Sequence, residues 1–160
     1  MVDNKRKINQ QEQEDEIYNR VIEIKRVSKK TKGGNTISFT ALMVVGDRRN
    51  EVGLALGKGL DVLSAINKGK ERAKKNMFSV PMKGGTIPYD IRFKRGAAKV
   101  ILRPAPPGSG IIASQSIKLV MEAAGYRDLS VKILGTSNKA ANVHAVIEAL
   151  QELKEYAKRE

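Results

Sequence analysis

The stretch that most constrains this chain is "ISFTALMVVG" at 37–46. Its first half alternates Ile37, Phe39 and Ala41 with Ser38 and Thr40, the period of a strand with one face in a core. After Ala41 the polar partners give way to Leu42 and Val44, so the strand is more deeply buried toward its end. Upstream, Val21, Ile22, Ile24 and Val27 give a rougher alternation over 20–29, broken once near Val21. Downstream, Gly46-Asp47 with Arg48-Arg49-Asn50 makes a turn, and "EVGLALG" reads as a third strand. Gly53 inside it marks a bulge or a close backbone approach. Together these predict a three-stranded antiparallel meander.

A helix follows, capped by Asp61 and running to about Phe78. Its expected apolar face is Val62, Ile66, Ala73 and Met77, and its other face bears Lys68, Lys70, Arg72, Lys74 and Lys75. Pro81 and then Lys83-Gly84-Gly85 read as a linker, which divides the chain into a polar tail at 1–17, a domain at 18–82 and a second domain at 83–157. The second half opens with strands "TIPYDIRFK" and "AAKVILRP", joined at Arg95-Gly96. After the loop "APPGSG", a helix over about 113–124 places Ile117, Val120, Met121 and Ala124 on one face, with Gly125 as its C-terminal cap. "LSVKILG" is a further strand. A last helix, opened by Ser137 or Asn138, carries Val143, Val146, Ile147, Leu150 and Leu153 on one stripe. The order is βββα followed by ββαβα, an α+β chain of two small layered units.

Charge then narrows the function. The net charge is +13, and it is uneven. Residues 20–103 hold twenty basic side chains against six acidic, whereas 104–160 hold seven against six and the first nineteen residues net −2. Self-repulsion of that size destabilises a compact state unless a polyanion screens it. A solvated lysine-rich surface is the bland alternative; the clustering favours a nucleic-acid footprint. The densest part is "SKKTKGGNT", where Lys29, Lys30 and Lys32 sit at one hairpin tip beside Gly33-Gly34. With Arg48-Arg49 and the basic helix face, it could span phosphates across a groove as double-stranded-RNA binders do. Aromatics make up only 4%, which disfavours a stacking platform for single strands.

Other functions find little support. "GLALGKG" ends like a phosphate loop, but the glycine spacing is one residue short and Gly59 stands where Ser or Thr must hold magnesium. The chain has no cysteine and a single histidine, His144, read as a surface residue, so no metal or cofactor is expected. No nucleophile has a base, which excludes an enzyme. No apolar run is long enough for a membrane span, and the polar start lacks a secretory signal's apolar segment, consistent with a cytoplasmic protein. "PAPPGSGIIAS" at 104–114 leaves three readings open: an anion-binding loop before a helix, a proline-stiffened connector, or a protein contact.

Five blocks carry a resemblance: "RVSKKTKGGNTISFTALMVVGD", "VGLALGKG", "ERAKKNM", "RPAPPGSGIIAS" and "GTSNKAANV". In this order they closely resemble the family of bacterial small-subunit ribosomal protein five, over roughly residues 20–150. The resemblance implies a double-stranded-RNA-binding-domain-like N-terminal unit and a C-terminal α+β unit with a left-handed βαβ crossover. It implies binding to small-subunit (16S) ribosomal RNA near the decoding region and the messenger RNA entry path. Ribosomal proteins three, four and eight would be neighbours, and translational accuracy would be affected. Carried onto this chain, the RNA-binding set is Arg26, Lys29, Lys30, Lys32, Gly33, Gly34, Asn35, Arg48, Arg49, Lys58, Lys68, Arg72, Lys74 and Lys75. Gly108, Ser109, Gly110 and Lys118 match the region facing protein four. The chain departs from the family pattern at Leu54 and Leu56, at Gly59 to Leu63, and at the proline pair of the 104–110 loop.

Overall fold

A computed structural model describes residues 17–157. The polar tail expected to be mobile therefore lies, except for Ile17, outside the described residues. Three long strands come first: β1 (Tyr18–Thr31), β2 (Gly34–Gly46) and β3 (Glu51–Gly59). Helix α1 (Val62–Lys75) and the two-residue strand β4 (Phe78–Ser79) complete an antiparallel sheet of order β1-β2-β3-β4. The second unit contains β5 (Ile91–Arg95), β6 (Ala98–Pro104), the short β7 (Ile111–Ile112), α2 (Gln115–Ala124), β8 (Leu129–Leu134) and α3 (Lys139–Ala157). Its sheet runs β5-β6-β8-β7, with β7 parallel to β8 so that β7, α2 and β8 form a βαβ unit. Strands β4 and β7 are too short to leave a periodic pattern. The strand expected from Thr86 begins only at Ile91, after Pro88, which has no N–H to give a ladder.

The register explains the composition of β2. The break in alternation near Val21 is a bulge, since Val21 pairs with Met43 and Glu23 with Leu42. On one face Ala41 and Met43 pack on Ala65 of α1, with Phe39 and Ile66 beside them, while Val45 and Ala55 pack on Ala73. On the other face Leu42, Val44, Val52 and Leu54 join the core of the second unit. Strand β2 is buried on both sides, which is why its polar alternation stops.

Helix α1 uses most of the face expected of it, with Ala73 buried and Ile66 and Met77 packed on the sheet, but Val62 is left out and the centre of the face lies at Ala65 and Gly69. Its buried stripe is Ala65, Gly69 and Ala73, whereas Leu63 is 67% exposed and Val62 is also exposed. The cause lies in β3, whose positions facing α1 are Gly53, Ala55, Gly57 and Gly59. A Cβ on Gly57 would stand 1.9 Å from the Ala65 carbonyl oxygen, and one on Gly53 2.2 Å from that of Ala73. Small residues meet small residues, and the helix lies nearly on the strand's backbone. Asp61 does cap α1: its carboxylate accepts from the Ser64 N–H at 3.0 Å and the Ser64 hydroxyl at 2.6 Å.

The linker expected at Lys83-Gly84-Gly85 contains a closed turn. Lys83 and Thr86 exchange both backbone hydrogen bonds, with φ of 61° and 87° at the two glycines, the pattern of a type I′ turn. The Gly85 carbonyl accepts from Arg127 N–H at 2.8 Å, and the buried Tyr126 phenol donates to the Pro81 carbonyl at 2.8 Å. Burial pushes the Tyr126 pKa upward, so the phenol remains a donor. In the second unit the expected stripes of α2 and α3 are both buried, and Gly125 caps α2 with φ 93°. Asn138 caps α3 through the Ala140 N–H.

The two units share one apolar core through α2, which also packs on β1, β2 and β3. The turn after β2 is fitted to that helix. Arg48 adopts a left-handed φ of 57° and donates its N–H to the Ala123 carbonyl at 3.0 Å. Asp47 holds the turn, its Oδ1 accepting from the backbone of Arg49, Asn50 and Glu51 at 2.8–3.0 Å. Partial burial raises the Asp47 pKa, but these hydrogen bonds together outweigh it and leave it below the usual value. A carboxyl lowered on folding stabilises above its unfolded pKa, and that contribution is lost as pH falls through the acid range below about 4. Asp47→Asn should therefore lower the denaturation midpoint at pH 7, and by a smaller margin at pH 3. Equal losses at both pH values would refute a charge effect.

Candidate nucleic-acid interface

The β1–β2 ladder continues past the third strand. β3 pairs with β2 only as far as Phe39–Gly59, whereas β1 and β2 stay paired to Thr31–Gly34. Beyond Phe39 the two strands form a free ribbon of five residue pairs, about 15 Å long. Residues 28–37 are all exposed. Lys29 and Lys30, expected in a loop, are ladder residues paired with Thr36 and Asn35, and only Lys32-Gly33 forms the tip. No Asp or Glu occurs between Glu23 and Asp47. Among the described residues no carboxylate pairs with Lys29, Lys30 or Lys32. Phosphate oxygens would supply the missing acceptors.

The tip glycines differ in role. Gly34 takes φ 132°, and its carbonyl accepts from the Thr31 hydroxyl at 2.9 Å. Gly33 has no positive φ, and a Cβ there meets nothing within 4 Å. Conformational need rests on Gly34. We expect Gly33→Ala to leave the turn intact, so a loss of RNA affinity would reveal direct backbone approach. Gly34→Ala should strain the turn by about 1 kcal/mol and weaken binding indirectly. Amide exchange at Thr31 and Asn35 distinguishes the two.

The remaining cations do not all gather at this ribbon. Lys58 lies opposite Thr40, which lies opposite Lys25, so the three form one row at the ribbon's base. On α1, helical spacing puts Lys68, Arg72 and Lys75 on one flank and Lys70 and Lys74 on the other, with the buried stripe between them. The five cations expected on one face are therefore divided. Arg72 donates to the Leu56 carbonyl at 3.2 Å, tying its flank to β3. Arg48 and Arg49 stand at the opposite end of the sheet, roughly 40 Å from the tip along the ladder. The Arg48 guanidinium lies 4.2 Å from the Tyr18 ring centroid, on the far side of a residue whose hydroxyl reaches Glu122 at 3.2 Å. This arrangement ties the units together and separates Arg48 from any phosphate at the tip.

The 104–110 loop is a separate surface. Pro106 to Ser109 form a turn with Pro107 second and Gly108 third at φ 89°, the type II pattern. The Ser109 N–H and hydroxyl both reach the Pro106 carbonyl, at 3.2 and 2.7 Å, and the Gly110 N–H donates to Asp128 at 2.8 Å. These donors are spent inside the protein, beside a carboxylate, which weighs against the anion-loop reading. The loop is also separated from the start of α2 by β7. Lys118 lies 4.0 Å from Glu122 on the exposed side of α2. His144 is half-buried rather than superficial. Burial and then Arg95 lower its pKa, and Glu148, paired with Arg95 at 2.6 Å, partly restores it.

Among the described residues no group of side chains could hold a metal ion, and no helix is long and apolar enough to cross a membrane. The two-domain α+β framework with its free basic ribbon matches a family of ribosomal proteins, which are structural rather than enzymatic. Residues 17–81 match the family model "Ribosomal protein S5, N-terminal domain", and 93–159 match "Ribosomal protein S5, C-terminal domain". The chain belongs to the ribosomal protein S5 family. It is 45% identical over 147 residues to the small ribosomal subunit protein uS5 of Salinibacter ruber, covering 92% of this chain and 84% of that one. The uS5 protein of Chloroflexus aurantiacus is 45% identical over 138 residues, covering 86% and 78%. The uS5c protein of Rhodomonas salina is 41% identical over 156 residues, covering 96% and 93%.

Proposed function

We propose that this chain is built into the small ribosomal subunit, in the cytoplasm, where it binds ribosomal RNA near the decoding region and the messenger entry path and contributes to assembly and translational accuracy. The observation that carries the RNA reading is the free β1–β2 ribbon, whose only charged side chains are Lys29, Lys30 and Lys32, with no acidic counterpart. The unit at 18–82 supplies the RNA contacts, with Lys29, Lys30 and Lys32 foremost. The unit at 83–157 holds eleven basic against six acidic side chains, a smaller excess than the fourteen against five of 18–82, and serves protein neighbours, with ribosomal proteins four, eight and three as the partners. Gly108 to Gly110 and Lys118 would face protein four. Sedimentation of a lysate tests the reading as a whole. The protein should travel with small subunits; recovery only in free or polysome-independent RNA complexes would favour a stand-alone RNA-binding module.

The two surfaces can be separated by substitution. A Cβ on Gly108 meets nothing within 4 Å, so Gly108→Arg costs only the strain of its φ, about 1–2 kcal/mol, and remains local. We expect this variant to bind isolated ribosomal RNA as well as the parent while changing the misreading rate in cells. Lost RNA affinity with unchanged accuracy would instead make the loop a phosphate site.

A further inference from the structure

The second sheet has one face against the helices and one face open. Side chains alternate between the two along each strand. Ile91, Val100, Leu102 and Val131 point into the core, where α3 packs on β5 and β6. The register then gathers Arg92, Lys94, Lys99, Arg103 and Lys132 on the other face, and all five are exposed. Lys94 lies directly opposite Lys99, and Ile101 separates Arg92 from Lys132 in the next row. The four strands of this sheet contain no Asp or Glu. Among the described residues no carboxylate pairs with any of the five cations. Arg95 is the contrast: it alternates onto the helix side and is paired with Glu148 at 2.6 Å. Like charges directly opposite each other weaken a ladder, and an anion laid over the face would remove that cost.

We propose that this open face is a second RNA-binding surface, separate from the ribbon, which takes an RNA duplex across its minor groove, so that one chain holds two RNA segments. This goes beyond the reading above, in which the second unit serves protein neighbours. The five cations span roughly 10 Å across the strands and 13 Å along them. A broad, shallow face suits the minor groove of A-form RNA, which is wide and shallow, whereas the major groove is too deep and narrow. Cations on both sides of the central Ile101 can then meet phosphates on both sides of the groove. The strand residues between them on this face are Ile101, Ser130 and Leu134, with no aromatic ring to stack an unpaired base as single-strand binders do. The ribbon belongs to the other sheet, so the two surfaces share no strand.

The test uses three forms of the full chain: the parent, a ribbon variant (Lys29→Ala, Lys30→Ala, Lys32→Ala) and a sheet variant (Lys94→Ala, Lys99→Ala, Lys132→Ala). Each is titrated at several salt concentrations against a short RNA duplex and a single strand of equal length. The sheet variant should lower the log–log salt slope on the duplex by roughly two units. Combining both sets of substitutions should add their losses, because separate sites act independently. Parent protein bound to an immobilised duplex should also retain a second, labelled duplex, and each variant should lose at least about tenfold of that capture while still binding one RNA. An unchanged slope in the sheet variant beside a reduced one in the ribbon variant would overturn the second surface. So would tighter binding of the sheet to the single strand, read in the ribbon variant. Unchanged slopes in both variants would overturn the RNA-binding reading itself. An unchanged slope together with loss of the sheet variant from small subunits would make the face a protein contact, which also overturns the proposal. Thermal melts of the sheet variant should match or exceed the parent's, since it removes the Lys94–Lys99 repulsion. If that variant melts early, the single reversal Arg103→Glu carries the test, with the same fall in duplex affinity expected.

Discussion

Replacing Lys29, Lys30 and Lys32 together with alanine should flatten the salt dependence of RNA binding by roughly two units on a log–log scale. Each lysine that neutralises a phosphate releases condensed counterions, about 0.7 to 0.9 per contact, and three contacts bring the total near two. Affinity should fall broadly across RNA sequences, because phosphate contacts carry no sequence information. Stability should not change. These side chains are exposed, they touch no core cluster, and in the free protein they only repel one another. The check is titration against a small-subunit RNA fragment at several salt concentrations, beside a thermal melt. An unchanged slope would reduce the lysines to a solvated tip.

Gly57→Val should have the largest effect on stability, a loss of about 3 kcal/mol or more. The added Cβ would lie 1.9 Å from the Ala65 carbonyl oxygen and 2.5 Å from the Gly69 nitrogen. Both are helix backbone, which cannot rotate away as a side chain would. Relief requires α1 to lift from the sheet, opening the contacts of Met43 with Ala65 and Gly69. Urea titration of the intact protein measures the loss, and Gly33→Val is the matched control because its Cβ meets open space. If both variants lost equal stability, the cause would be a general effect of the added side chain and not helix packing. A phosphate-loop role for "GLALGKG" predicts the reverse, an intact fold with altered nucleotide affinity.

Local pattern was enough for most of the elements. The alternation around Ser38 and Thr40, the cap at Asp61, the Gly125 stop and the stripes of α2 and α3 follow from side-chain periodicity and backbone preference, which act over a few residues. The irregularity near Val21 was also legible, because a bulge breaks the alternation it interrupts. The basic tip could be read from charge alone. The sense of the glycines could not. Gly53 announced a bulge or a close approach to the backbone, and only the packed structure shows that α1 is what approaches, at Gly57 and Gly59 as well.

The same division runs through the site. The sequence by itself determined the elements, the asymmetric charge and the membership of a family. The tertiary structure decided which cations act together. Arg48 and Lys30 look like parts of one basic surface on paper, yet a ladder of extended strands carries them roughly 40 Å apart. Neighbouring Lys29 and Lys30 look like one site, yet the pleat sends them to opposite faces. Likewise Pro81 and Lys83-Gly84-Gly85 read as a linker, while Tyr126 and Arg127 pin them against the second unit. In each case the deciding contact joins residues remote along the chain or turns on strand register. Composition and short-range spacing carry no information about either.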